Sequence, residues 1–130
     1  MPSPDAMPDA TAPAVRSATG WWAVCLCANW CGTCRDYRSI FDALAQAHPG
    51  VRFEWVDIED ESDLAGDLDV ETFPTLLIAD GANARFLGPL PPQAPVLARL
   101  LSSLQAGQGD RSAGGEAQEV FERVRMARGG

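Results

Sequence analysis

Trp30-Cys31-Gly32-Thr33-Cys34 sets two cysteines three residues apart behind a tryptophan. Such a pair can carry two electrons by opening and closing a disulfide. That chemistry needs an attacking thiolate, a second thiol within reach and a surface that aligns the substrate. The apolar run Trp21 to Ala28 has the length of a buried strand, and Ile40, Phe41, Leu44 and Ala47 follow Cys34 at helical spacing. Cys31 therefore falls at a helix mouth, where unpaired backbone N–H groups and the positive end of the helix dipole stabilise an anion. In this reading Cys31 attacks, Cys34 resolves from one helical turn further in, Gly32 lets the loop turn tightly and Trp30 shields one side of the pair.

About forty residues downstream, Thr72-Phe73-Pro74-Thr75 opens a second apolar strand, Leu76-Leu77-Ile78. A tryptophan-led Cys-x-x-Cys after a central strand, followed by a proline before a later strand, resembles the thioredoxin family. The resemblance runs from about Trp21 to about Leu104 and includes Gly88. It implies an α/β, thioredoxin-like fold with a central mixed sheet of about four strands flanked by helices, and a shortened N-terminal unit, because no helix precedes Trp21. It further implies a protein-disulfide oxidoreductase with Cys31 and Cys34 as the catalytic pair and no cofactor. Trp30, Gly32, Thr33, Phe73 and Pro74 would then meet the substrate. The implied partners are disulfide-containing protein substrates and an electron donor, either a flavin-dependent reductase or another dithiol protein.

A cis Pro74 would lie opposite the two sulfurs and turn the preceding carbonyl toward a substrate backbone. Thr33 stands where many thioredoxins carry proline, which makes the loop less rigid and the disulfide form a stronger oxidant. Phe73 is bulkier than expected at a contact position, and either narrows the substrate range or packs. Arg35 either helps hold negative charge near the dithiol or is solvated.

The clearest departure from the family is Val24-Cys25-Leu26-Cys27. Cys25 stands where many thioredoxins bury an aspartate, so the proton of Cys34 must go to water, to Cys25, or to an acid such as Glu54 or Asp57. Cys25 and Cys27 share one face of a strand. They are open to three readings: small core residues, a second redox pair that trades disulfides with Cys31 and Cys34, or half of a four-thiolate metal site. A strand followed by a helix start suits the tetrahedral convergence of a metal site poorly, so no metal is assigned. All ten basic residues are arginine, so a family role for lysine has no candidate. His48, the one histidine, is expected at a helix end without a catalytic partner, and the acids between Asp57 and Asp63 are expected to be a solvated helix start.

The net charge of −8 disfavours nucleic acid and anionic membrane surfaces as partners. With 46% hydrophobic residues, 130 residues suffice for a single core. Residues 1–13 are expected to be a flexible leader, 14–106 the thioredoxin-like domain with a short edge strand at Ala14 to Ser17, 107–115 a polar linker, and 116–130 a C-terminal helix or tail. That last segment either docks a partner or packs on its own domain. The N-terminal residues lack the basic start and apolar core of a secretory signal, and no apolar run approaches a membrane span, so a cytoplasmic location is expected. A non-catalytic thioredoxin-like binding module is the rival from another functional class. The oligomeric state is left open.

Overall fold

The computed structural model describes residues 20–66, 68, 70–106 and 113–129. The leader, the edge strand at Ala14 to Ser17 and most of the expected linker lie outside them. Strand β1 (Trp21–Cys27) is followed by helix α1 (Gly32–Ala47), strand β2 (Val51–Asp57), a single helical turn α2 (Ser62–Ala65), strands β3 (Thr75–Ala79) and β4 (Ala84–Pro89), and helices α3 (Ala94–Gln105) and α4 (Gly115–Ala127). The sheet order is β2-β1-β3-β4, with β2 parallel to β1 and the other pairings antiparallel. This is the expected mixed sheet of four strands between helices.

Strands β1 and β3 occupy the centre and are covered on both faces, which is why they read as unbroken apolar runs. The edge strand β2 alternates instead, with Val51, Phe53 and Trp55 on one face and the charged Arg52 and Glu54 on the other. Proline and glycine after His48 end α1, and the hairpin between β3 and β4 turns on Asp80, whose Oδ1 accepts the amides of Ala82 and Asn83. Gly81 takes φ 101° in that turn, a value that favours glycine.

Two hydrophobic clusters lie on opposite faces of the sheet. On one, Ala23, Cys25, Cys27, Leu76 and Ile78 pack under α1, through Cys34, Tyr37, Phe41 and Leu44, and under α3, through Leu97, Leu101 and Leu104. On the other, Trp22, Val24, Leu26 and Leu77 pack against Leu64 of α2 and against Ala117, Val120, Phe121 and Val124 of α4. The Phe121 ring meets Trp22 edge-on at 5.6 Å. The C-terminal helix is thus an integral layer of the core, where the sequence alone placed it outside residues 14–106 as a helix or tail. No helix among the described residues is long and apolar enough to cross a membrane.

Candidate redox site

The site is built where β1 ends and α1 begins. A turn closes when the Cys31 N–H donates to the Ala28 carbonyl at 3.0 Å, and the Cys31 carbonyl then accepts the Arg35 N–H at 3.1 Å to start the helix. Cys31 is therefore the N-cap, in extended backbone (φ −84°, ψ 124°), with its side chain half-buried. Gly32 is the first helical residue. A Cβ there would meet only the Arg35 guanidinium at 4.0 Å, so the tight turn lies at Ala28 to Cys31 and does not require this glycine.

Cys34, in the first turn of α1, points down onto the sheet and is buried. The structure bonds it to Cys27, the last residue of β1, with the two Cα atoms 5.8 Å apart, and leaves Cys31 as a free thiol. The sequence reading paired Cys34 with Cys31. The difference arises because α1 runs back over the face of the sheet that Cys27 occupies, which brings the end of the strand under the first helical turn. Cys31 packs at the margin of the same cluster. The Ala28 N–H also approaches the Cys34 sulfur at 3.4 Å.

Cys25 lies deeper, fully buried and unbonded, and desolvation pushes its thiol far above the ordinary range despite an opposing influence of Arg38. A thiol held neutral in this way is a core residue and a poor proton acceptor. Beside it, burial and then the proximity of Cys25 push Tyr37 up to about 12, and the Tyr37 hydroxyl is buried without a hydrogen-bond partner. Among the described residues no group of three or more side chains is gathered as metal ligands.

Asp57 takes a different part from the one the sequence offered it. Its Oδ2 accepts the Asn29 N–H at 2.8 Å, and its Oδ1 accepts the N–H groups of Glu59 at 2.9 Å and Asp60 at 3.0 Å. Burial alone would raise this carboxyl, but the three amides outweigh it and hold it below the usual range. It is a clamp on the loop leading to Cys31, with both oxygens occupied. Asp57 shares strand parity with Phe53 and Trp55 on the cysteine face, and that alternation was the signal that sets it apart from the solvated acids after it. Glu54 has the opposite parity and pairs with Arg52 and Arg128, so neither carboxylate proposed from sequence stands ready to take the Cys34 proton.

Arg35 braces the same loop, its Nη1 donating to the Asn29 carbonyl at 3.0 Å. Trp30 is 62% exposed, donates through Nε1 to Glu59 at 2.7 Å, and meets the Phe73 ring edge-on at 5.7 Å. Glu59, expected from the sequence only as one of the solvated acids of a helix start, thus fixes the indole. The Phe73–Pro74 peptide is cis, with Pro74 buried and Phe73 half-buried at the edge of the cysteine cluster. Thr33 is exposed on the outer side of the first helical turn. His48 caps the far end of α1, about 25 Å from Cys31 at 1.5 Å per residue, with Nδ1 against the Leu44 carbonyl. A cysteine–histidine pair is therefore excluded.

The thioredoxin family model matches residues 9–93. The chain belongs to the thioredoxin family. A thioredoxin H-type from Oryza sativa subsp. indica is 41% identical over 58 residues, covering 44% of this chain and 48% of that protein. Thioredoxin-1 of Caenorhabditis elegans is 33% identical over 57 residues, 44% of this chain and 50% of its own length. The chain thus spans about half the length of the curated relatives it matches. Among solved structures, thioredoxin from Trypanosoma brucei brucei superposes with a TM-score of 0.60 at 22% identity, covering 71% of this chain and 80% of that one. Fasciola hepatica thioredoxin gives 0.57 at 22% identity over 71% and 85%. At such identities these likenesses bear on the fold, which is thioredoxin-like.

Proposed function

We propose that this thioredoxin-family chain is a thiol-disulfide oxidoreductase that reduces or exchanges protein disulfides. The observation that carries the reading is the placement of Cys31: an unbonded, half-buried thiol at the N-cap of a sixteen-residue helix, with Cys34 one turn inside. The half-buried Cys31 sulfur opens toward a substrate disulfide, while the buried Cys34 sulfur lies behind it. In the reduced chain the Cys31 thiolate attacks one sulfur of a substrate disulfide, forming a mixed disulfide and releasing a substrate thiolate. The Cys34 thiolate then attacks the Cys31 sulfur and releases the second substrate thiolate.

The exposed Trp30 indole and the Phe73–Pro74 edge form the surface beside this thiol, on which an extended substrate backbone would lie. With Cys25 held as a neutral core thiol and Asp57 committed to three amides, water takes the Cys34 proton. A reductase or dithiol protein would return the electrons, so the chain would carry them from such a donor to protein disulfides in a reducing compartment such as the cytoplasm. The test is reduction of a protein disulfide with dithiothreitol as electron source. The unaltered chain should turn over, and Cys31→Ser should fall to the uncatalysed rate; equal rates would end the proposal.

A further inference from the structure

Three cysteines meet at one end of the sheet, and the mechanism just described uses only two. Cys27 ends β1, Cys34 lies in the first turn of α1, and Cys31 caps that turn, three residues from Cys34 on the same helix face, where side chains are neighbours. All three belong to one cluster, and the bond present joins Cys27 to Cys34. The sulfur of Cys34 is therefore within reach of two partners, one buried at the strand end and one opening to the surface.

We propose that Cys27 is a third redox residue of this site, which takes over the disulfide from Cys31 and stores it as the buried Cys27–Cys34 bond. The inference rests on the oxidoreductase reading and extends it by one exchange. After substrate release the chain holds a Cys31–Cys34 disulfide and a Cys27 thiol. The Cys27 thiol loses its proton to water, and the thiolate attacks the Cys34 sulfur. The Cys27–Cys34 bond forms, the Cys31–Cys34 bond breaks, and Cys31 leaves as the thiolate. No electrons are added or lost in this step. Over the whole sequence one substrate disulfide becomes two thiols, and the Cys27 and Cys34 thiols become one disulfide.

Two consequences follow. The oxidised chain keeps a nucleophilic Cys31 with no resolving partner, so a further substrate disulfide is captured and held as a mixed disulfide. Reduction of the stored bond must also pass through Cys31, because Cys27 and Cys34 are both buried. The Cys31 thiolate attacks Cys34, Cys27 leaves as thiolate, and the external dithiol attacks the accessible Cys31 sulfur. Cys25, although next but one to Cys27, takes no part, since it lies inside β1 while the strand end places Cys27 against Cys34.

The reduced chain is oxidised with one equivalent of bis(2-hydroxyethyl) disulfide, quenched in acid, alkylated under denaturing conditions and cut with chymotrypsin after Leu26, Trp30 and Tyr37. A Cys27–Cys34 bond links the peptide of residues 27–30 to that of residues 31–37, whereas a Cys31–Cys34 bond is internal to the latter. The expected result is that most Cys34 is recovered in the linked pair, with Cys31 alkylated or carrying the reagent. Recovery of most Cys34 bonded to Cys31, or unbonded, would overturn the proposal. In the oxidised Cys31→Ser chain, native reduction by dithiothreitol should be at least tenfold slower than in the unaltered chain; equal rates would contradict the route through Cys31. The Cys27→Ala chain should hold Cys34 bonded to Cys31. If the linked pair is missing while Cys31→Ser still abolishes turnover, the storage step alone fails; if Cys31→Ser turns over normally, the oxidoreductase reading fails.

Discussion

The Asp57 carboxylate accepts the backbone N–H of Asn29 at 2.8 Å, and so ties the end of β2 to the loop that delivers Cys31. The neighbouring strand thereby sets where the attacking thiol sits. Asp57→Asn keeps the shape, removes the charge and leaves one acceptor oxygen where there were two. Charge-assisted bonds of this kind are worth about 1.5–3 kcal/mol each, with part of that lost in the variant. Urea unfolding at pH 7 should show a loss of about 1–3 kcal/mol, with slower disulfide reduction. Because the folded carboxyl is held below its unfolded value, its stabilisation is present above about pH 4 and is lost as pH falls through the folded value. The variant should accordingly lose less stability on acidification than the unaltered chain; equal losses would contradict the clamp.

Cys25 should be silent in the native state. Under conditions that alkylate Cys31 within minutes, reduced chain at pH 8 should take up no label at Cys25 until it is unfolded. Cys25→Ala should retain disulfide reduction within about twofold, at a cost of about 1 kcal/mol for the lost buried sulfur. Fast native labelling of Cys25, or a collapse of turnover in the variant, would contradict its assignment to the core.

Tyr37 is the one tyrosine of the chain, which makes it readable by ultraviolet titration. Burial raises it to about 12, so the folded chain should show no tyrosinate signal near pH 10, where an exposed tyrosine ionises. The folded state holds this proton more tightly than the unfolded chain. Its stabilisation is therefore full below about pH 10 and declines as pH rises from there toward 12. Titration of the folded chain with a midpoint near 10 would contradict the buried setting.

Phe121 tests whether the C-terminal helix belongs to the core. Its fully buried ring packs edge-on to Trp22 of the central strand. Phe121→Ala should cost about 3–5 kcal/mol in urea unfolding, in a single cooperative transition that includes the sheet. A change below about 1 kcal/mol, the scale of a surface substitution, would place the helix outside the folded unit.

The central strands were legible because burial on both faces leaves no polar alternation in Trp21–Cys27 or Thr75–Ala79. Helix α1 was legible from its apolar spacing and its proline–glycine stop. Val120, Phe121 and Val124 fall on one stripe of α4, but a stripe in a sequence does not say what covers it. The same limit applies to the cysteines: spacing along the chain singles out Cys31 and Cys34, whereas the approach of Cys27 to Cys34 depends on how the helix lies across the sheet. Asp57 was obscured by the acids that follow it, although its strand parity with Trp55 marks it as inward. The Trp30 to Glu59 bond joins two loops, and no pattern within either segment encodes it.

The attacking role of Cys31 is tested most directly by trapping. A Cys34→Ala chain cannot resolve a mixed disulfide, so on mixing with a disulfide-bonded protein it should form a covalent adduct and release one substrate thiol per chain, with the linkage mapped to Cys31. Absence of an adduct, or a linkage at Cys25 or Cys27 with Cys31 left free, would contradict the account.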